Sequence, residues 1–105
     1  KHVPPMTDGE AVTILNRSKF WIDDRAKDDM KRSRATDDNS IKNYWQGAAK
    51  KVLGKAEADL KRIQNNLRKD PNASVQILDS AQQYLLQIDT LQVQIQQEDP
   101  FRQVR

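Results

Sequence analysis

Residues 59–91 read DLKRIQNNLRKDPNASVQILDSAQQYLLQIDTL, two strongly periodic helical segments divided at Asp70-Pro71. Proline has no N–H to continue a helical ladder, its ring collides with the preceding turn, and it drives Asp70 out of the α region. Side chains that start helices follow at once. Asp70 can cap with Pro71 in the first helical position, or Asn72 or Ser74 can cap slightly later, each offering an oxygen to an orphan backbone N–H. A connection this short makes the two helices antiparallel neighbours.

Downstream of the break, Ile77, Ala81, Tyr84, Ile88, Leu91 and Ile95 alternate steps of four and three, a heptad seam. Leu78, Leu85, Leu86 and Val93 widen it, as expected for a helix that touches two neighbours. Asp99-Pro100 ends the segment, so the spacing predicts a helix over 71–98 and a tail over 99–105. Upstream, a helix is predicted over 38–69, capped by Asp38 in the polar stretch ATDDNS (35–40). Its buried face reads Ile41, Trp45, Ala48, Val52, Ala56, Leu60, Ile63 and Leu67, with steps of three or four throughout. An earlier helix is predicted over 7–34. Thr7 and Glu10 fit a capping box, Ala11, Leu15, Ser18, Ile22, Ala26 and Met30 form a thin seam, and the basic run Lys31-Arg32-Ser33-Arg34 suits a helix C-terminus. Residues 1–6, KHVPPM, favour an extended arm. The expectation is all-α: one antiparallel up-and-down bundle of three long helices over residues 1–105.

Composition narrows the function classes. The chain has 105 residues, no cysteine and a formal net charge of +3, with a sequence pI near 9.3. Without cysteine there is no disulfide framework, thiol nucleophile or zinc–thiolate site. No apolar run approaches the roughly 18 residues needed to span a bilayer, and no signal peptide is visible. The sequence begins at Lys1 without a methionine, which fits either a removed targeting peptide or a fragment. His2 is the single histidine and sits in the arm, and neither a phosphate-binding glycine loop nor an HExxH spacing occurs, so no catalytic residue is assigned. The acid pairs Asp23-Asp24, Asp28-Asp29 and Asp37-Asp38 lack the alternating ligands and central glycine of a calcium loop. They read as a solvated face pairing with Arg25, Lys27, Lys31 and Arg32. No cofactor or metal is expected.

The basic residues of the second helix are organised. With Lys51 as the origin, Lys55, Arg62 and Lys69 fall within roughly 40° of it, and Lys50, Lys61 and Arg68 form a second row about 100° to one side. The expected core centres near 130° in that frame, so the cations lie almost opposite it, as a solubilising surface or a docking face. The face lacks interleaved aromatics and the net charge is small, so an acidic protein surface is favoured over nucleic acid. Phe20 projects away from the first helix's seam and Trp21 lies at its edge. Exposed, the pair would anchor an interface; covered by the Pro4-Pro5 arm, it would be ordinary packing. Trp45 reads as a core anchor whose indole N–H needs a partner near the bundle end.

Asp59-Leu60-Lys61, Lys69-Asp70 and Ser74, Gln76, Leu78, Ser80 recur in one register, with Ile14-Leu15-Asn16, Phe20 and Trp45 upstream. In these positions, covering most of residues 14–91, the chain resembles the PsbQ family, the extrinsic lumenal subunits of photosystem II in plants and algae. Ile88-Asp89 and Leu91 are displaced from the family's pattern, Trp45 stands nearer to Asp59, and the family's fourth helix has no counterpart after Ile95. The proline-rich N-terminal region is reduced to Val3-Pro4-Pro5. The resemblance implies a four-helix architecture with the last helix short or absent, and a non-catalytic protein. It also implies docking on the lumenal face of photosystem II, beside the core antenna and other extrinsic subunits. The protein would be peripheral to the thylakoid membrane, a monomer within a large complex, and would support retention of calcium and chloride bound elsewhere. On that reading Lys50, Lys51, Lys55, Lys61, Arg62, Arg68, Lys69, Phe20 and Trp21 form the docking set. Trp45-Gln46-Gly47 supplies an alternative: it is the Trp-x-Gly of small helical-hairpin substrates of type VII secretion, which carry it in the turn between their helices.

Overall fold

Three helical rods pack antiparallel in sequence order, and the computed structural model describes residues 6–101. The first rod is built from α1 (Asp8–Phe20), a π-helical segment (Trp21–Ala26) and α2 (Lys27–Arg34). The second is α3 (Asn39–Leu67) and the third α4 (Val75–Glu98). Cross-rod contacts fix the directions. Arg17 meets Asp59 and Arg32 lies over Trp45, so the first rod and α3 run oppositely. Gln46 meets Glu98 and Gln64 meets Gln82, so α3 and α4 do as well. The fold is the all-α antiparallel bundle expected from the periodicity, and no strand occurs among the described residues.

Each helix starts where a side chain satisfies its first free N–H groups. Thr7 Oγ1 accepts from Glu10 N while Glu10 Oε1 accepts from Thr7 N, a complete capping box. Asp38 Oδ1 accepts from the backbone N–H groups of Ser40 and Ile41. Of the three caps open for α4, Ser74 is the one used, accepting from Ile77 N at 3.4 Å. The third helix therefore begins four residues later than the start at 71. Asp70 closes a local turn instead, its Oδ1 accepting from Asn72 N and its carbonyl from Ala73 N.

The seams show how each rod handles helical drift. In an α-helix a step of four residues overshoots a turn by about 40°. The first rod buries Ser18, Ile22, Ala26 and Met30, three successive steps of four. It can do so because the intervening segment winds more slowly: Lys27 N–H donates to Ile22 O, five residues back. Nothing in the sequence reading anticipated this π segment. The Ser18 hydroxyl just before it is buried with no hydrogen-bond partner among the described residues.

α3 resolves the same problem differently, and the expected face is corrected there. The face drawn through Ala48, Val52, Ala56 and Leu60 also takes three steps of four, but α3 is α-helical throughout and cannot hold them in line. The buried residues are Gln46, Ala49, Leu53, Ala56, Leu60, Ile63 and Leu67, alternating three and four without exception. Val52, Ala48 and Trp45 are half-buried and Ile41 is exposed. Trp45 is thus not a core anchor: it lies at the bundle edge between the Arg32 guanidinium, 5.0 Å from its ring centroid, and the edge of Tyr44. On α4, Ile77, Ala81, Ile88, Leu91 and Ile95 are buried, while Tyr84, Leu78 and Leu85 are half-buried. Leu86 and Val93 do not widen the seam. They point to solvent, as does Val75.

One end of the bundle is tied by polar contacts to helix termini. Lys42 Nζ donates to Ser33 O near the end of α2, and Gln46 Nε2 donates to Glu98 O at the end of α4. Arg34 forms two hydrogen bonds, both 2.9 Å, with the Glu98 carboxylate. Those bonds raise the Arg34 pKa, so the guanidinium stays charged.

Candidate functional site

The corrected seam sharpens the geometry of α3. With Lys51 again as the origin, the residues actually buried centre near roughly 170°, so the row of Lys51, Lys55 and Arg62, which spans about 40° from that origin, stands roughly 150° from the core. All three are exposed, as is Tyr44, which falls on the same line. Lys50 and Lys61 occupy the flank. Arg68 is the C-cap of α3 and Lys69 lies beyond it, so Lys69 leaves the row that a helix through 69 would have given it. Both remain exposed at that end of the face.

Ion pairing leaves much of this charge available. Lys61 pairs with Glu57 at 3.3 Å, and Arg62 with Asp59 at 3.8 Å. Lys50, Lys51, Lys55, Arg68 and Lys69 form no ion pair among the described residues. Asp59 is shared, since Arg17 of α1 approaches it to 2.7 Å. The same Arg17 lies over the Trp21 ring, 5.2 Å from its centroid. Trp21 packs against the core, whereas Phe20 is 46% exposed. The two aromatics thus separate: Phe20 is available to a partner and Trp21 is mostly structural. The Pro4-Pro5 arm lies outside the described residues.

Gly47 and Gly54 interrupt the outer face of α3. A Cβ added at either position meets nothing within 4 Å. Glycine in a helix interior costs about 1 kcal/mol relative to alanine. Gly47→Ala and Gly54→Ala should therefore each raise thermal stability by about 1 kcal/mol, read as an increase in melting temperature. Trp45-Gln46-Gly47 as a whole lies inside α3, away from any turn.

The acid pairs of the first rod behave partly as expected. Asp23 pairs with Lys27 at 3.2 Å and Asp28 with Arg32 at 3.0 Å, both four residues apart. Asp29 is a correction: it is only 8% exposed and forms no ion pair or side-chain hydrogen bond among the described residues. Burial pushes its carboxyl above the ordinary aspartate value, against the pull of Arg25. Among the described residues no group of three or more His, Cys, Asp or Glu side chains could hold a metal ion. A cleft of about 390 Å³ between α2 and α4 is floored by Met30 and Leu91. The cations on its rim, Lys27 and Arg34, are committed to Asp23 and Glu98.

No helix among the described residues is long and apolar enough to cross a membrane. Comparison with family models, with curated proteins and with solved structures finds no match.

Proposed function

We propose that the protein is a non-catalytic docking subunit that binds an acidic protein surface through the outer face of α3. The observation that carries this reading is the position of Lys51, Lys55 and Arg62, exposed on the side of α3 turned away from the buried seam. A partner can neutralise these cations without disturbing the bundle. Lys50, Lys61, Arg68 and Lys69 extend the attractive field, and exposed Phe20 offers a secondary contact on the first rod.

The sequence resemblance gives the acidic surface an address. A PsbQ-type subunit docks peripherally on the lumenal side of photosystem II in the chloroplast thylakoid, where it stabilises the oxygen-evolving centre and supports its calcium and chloride retention. The test is binding to photosystem II membranes stripped of their extrinsic subunits by salt. Binding is expected at low ionic strength and release as salt approaches about 1 M, where the Debye length falls to about 3 Å. Replacing Lys51, Lys55, Arg62 and Lys69 together with glutamine should weaken binding at least about tenfold, since rim charges act mainly through long-range attraction. Unchanged binding of that variant, or none by the parent chain, would sink the reading.

A further inference from the structure

The outer faces of α3 and α4 are complementary to each other, although in one chain they point apart. On α4 the exposed positions Val75, Asp79, Gln82, Leu86, Asp89 and Val93 step four, three, four, three, four. On α3 the exposed positions Gly47, Lys51, Gly54, Ala58, Lys61 and Asn65 follow the same steps. Each is a second heptad seam turned away from the core, with Gln82 at the edge of its seam accepting from Gln64 Nε2 of the same chain's α3, and each spans roughly 27 Å at 1.5 Å per residue.

Charge complementarity selects the partner. α4 carries no lysine or arginine, and its acids include Asp79 and Asp89, whereas α3 carries Lys51 and Lys61 at the same separation of ten residues. Laid antiparallel with Asp89 against Lys51, the two seams bring Asp79 against Lys61 without adjustment. The register also matches size. Val93 meets Gly47, Leu86 meets Gly54 and Gln82 meets Ala58, three layers in which a larger side chain on α4 faces a small one on α3; the end layer sets Val75 against Asn65. Leu86 and Val93 are 54% and 51% exposed, and nothing fills the space above Gly47 or Gly54.

We infer that the outer face of α3 docks the outer face of α4 from a second copy of this chain, antiparallel, with Lys51–Asp89 and Lys61–Asp79 as its charge pairs. The inference rests on the reading of the α3 face as a docking surface and adds an acidic partner to it. Because the two seams differ, the contact is heterologous. A pair of copies leaves the α4 face of one and the α3 face of the other free, so further copies can add and assembly is open-ended. Two helices of this length bury on the order of 1,000 Å² in total, the low end of specific interfaces, so association is weak and concentration-dependent.

Sedimentation velocity on the full chain at low salt, from about 10 μM to about 1 mM, tests it. The weight-average mass should climb past that of a dimer without a plateau. Asp79→Lys with Asp89→Lys should weaken association at least tenfold, and Lys51→Asp with Lys61→Asp should do the same. Mixing the two double variants should restore it, since each then offers the face the other lacks. Leu86→Gln, which changes no charge, should also weaken association, and far-UV circular dichroism should report native helix content in every variant. A single-chain mass throughout, a plateau at dimer, or a mixture no more associated than its components overturns the inference. The α4 variant separates this contact from docking: with its added positive charge it should bind stripped photosystem II membranes at least as tightly as the parent does. A chain that assembles but does not bind those membranes removes only the photosystem II reading, and one that binds but stays monomeric removes only this one.

Discussion

Leu53→Ala is expected to lower the stability of the protein by about 3 kcal/mol, whereas Val52→Ala, one residue earlier, should cost less than about 1 kcal/mol. Leu53 is completely buried in the central cluster, and truncating such a leucine loses both its transfer free energy and the contacts across the cavity left behind. Val52 is half-buried at the edge of that cluster and its truncation opens no enclosed void. For a domain of this size 1 kcal/mol moves the melting temperature by about 4–8 °C, so thermal denaturation should separate the two variants by about 10 °C. Equal effects at the two positions, or a larger one at Val52, would return the core to the seam through Trp45, Ala48 and Val52. The basic row would then stand about 110° from the core and not about 150°.

This contrast marks where sequence and structure part. Fold class, helix number and antiparallel order were legible because each break carries its own chemistry: the capping box at Thr7, the cap at Asp38, the proline at 71. The α4 seam was legible because strict alternation of three and four admits one face. The upper half of α3 was misread because Gln46, the first member of its true seam, is polar, and because Trp45 and Val52 are the more hydrophobic neighbours. Three successive steps of four drift by about 120° in an α-helix, so that face could not have been continuous. The same three steps in the first rod are real, and only the π segment, a departure from helical winding set by tertiary packing, makes them so. Pattern alone does not reveal which solution a helix will adopt.

The candidate surface was legible for a different reason. Lysine and arginine identities and their helical phase are local properties, so Lys51, Lys55 and Arg62 share one exposed line of α3 wherever the core face is drawn. Lys69 does not, because its place in the row required the helix to continue to 69. Asp29 reads in the sequence as part of a solvated acidic face, and its burial is a tertiary effect with no signal in its own segment. Tyr44 was missed too, though its exposure follows from helical phase once the seam is set through Gln46.

Gln46 itself should show the second large effect. Its side chain is 2% exposed at the end of the α3 seam, and its amide donates at 2.8 Å to the carbonyl of Glu98, the last residue of α4. Truncation to alanine removes the donor from a carbonyl with no onward helical partner and leaves a gap beneath it. Gln46→Ala is therefore expected to cost about 2 kcal/mol and to speed amide hydrogen exchange through the last turn of α4. Gln46→Leu divides the two contributions. It refills the volume and adds apolar burial, so global stability should recover to within about 1 kcal/mol of the parent. The last turn of α4 should nevertheless still exchange faster, because Arg34 grips only the Glu98 side chain and no longer shares the terminus with an amide. If exchange there is as slow in Gln46→Leu as in the parent, the hydrogen bond does not hold that helix end, and Gln46 is a space-filler. If it is faster while the melting temperature holds, this one polar residue in an apolar heptad seam is what fixes where α4 stops against α3.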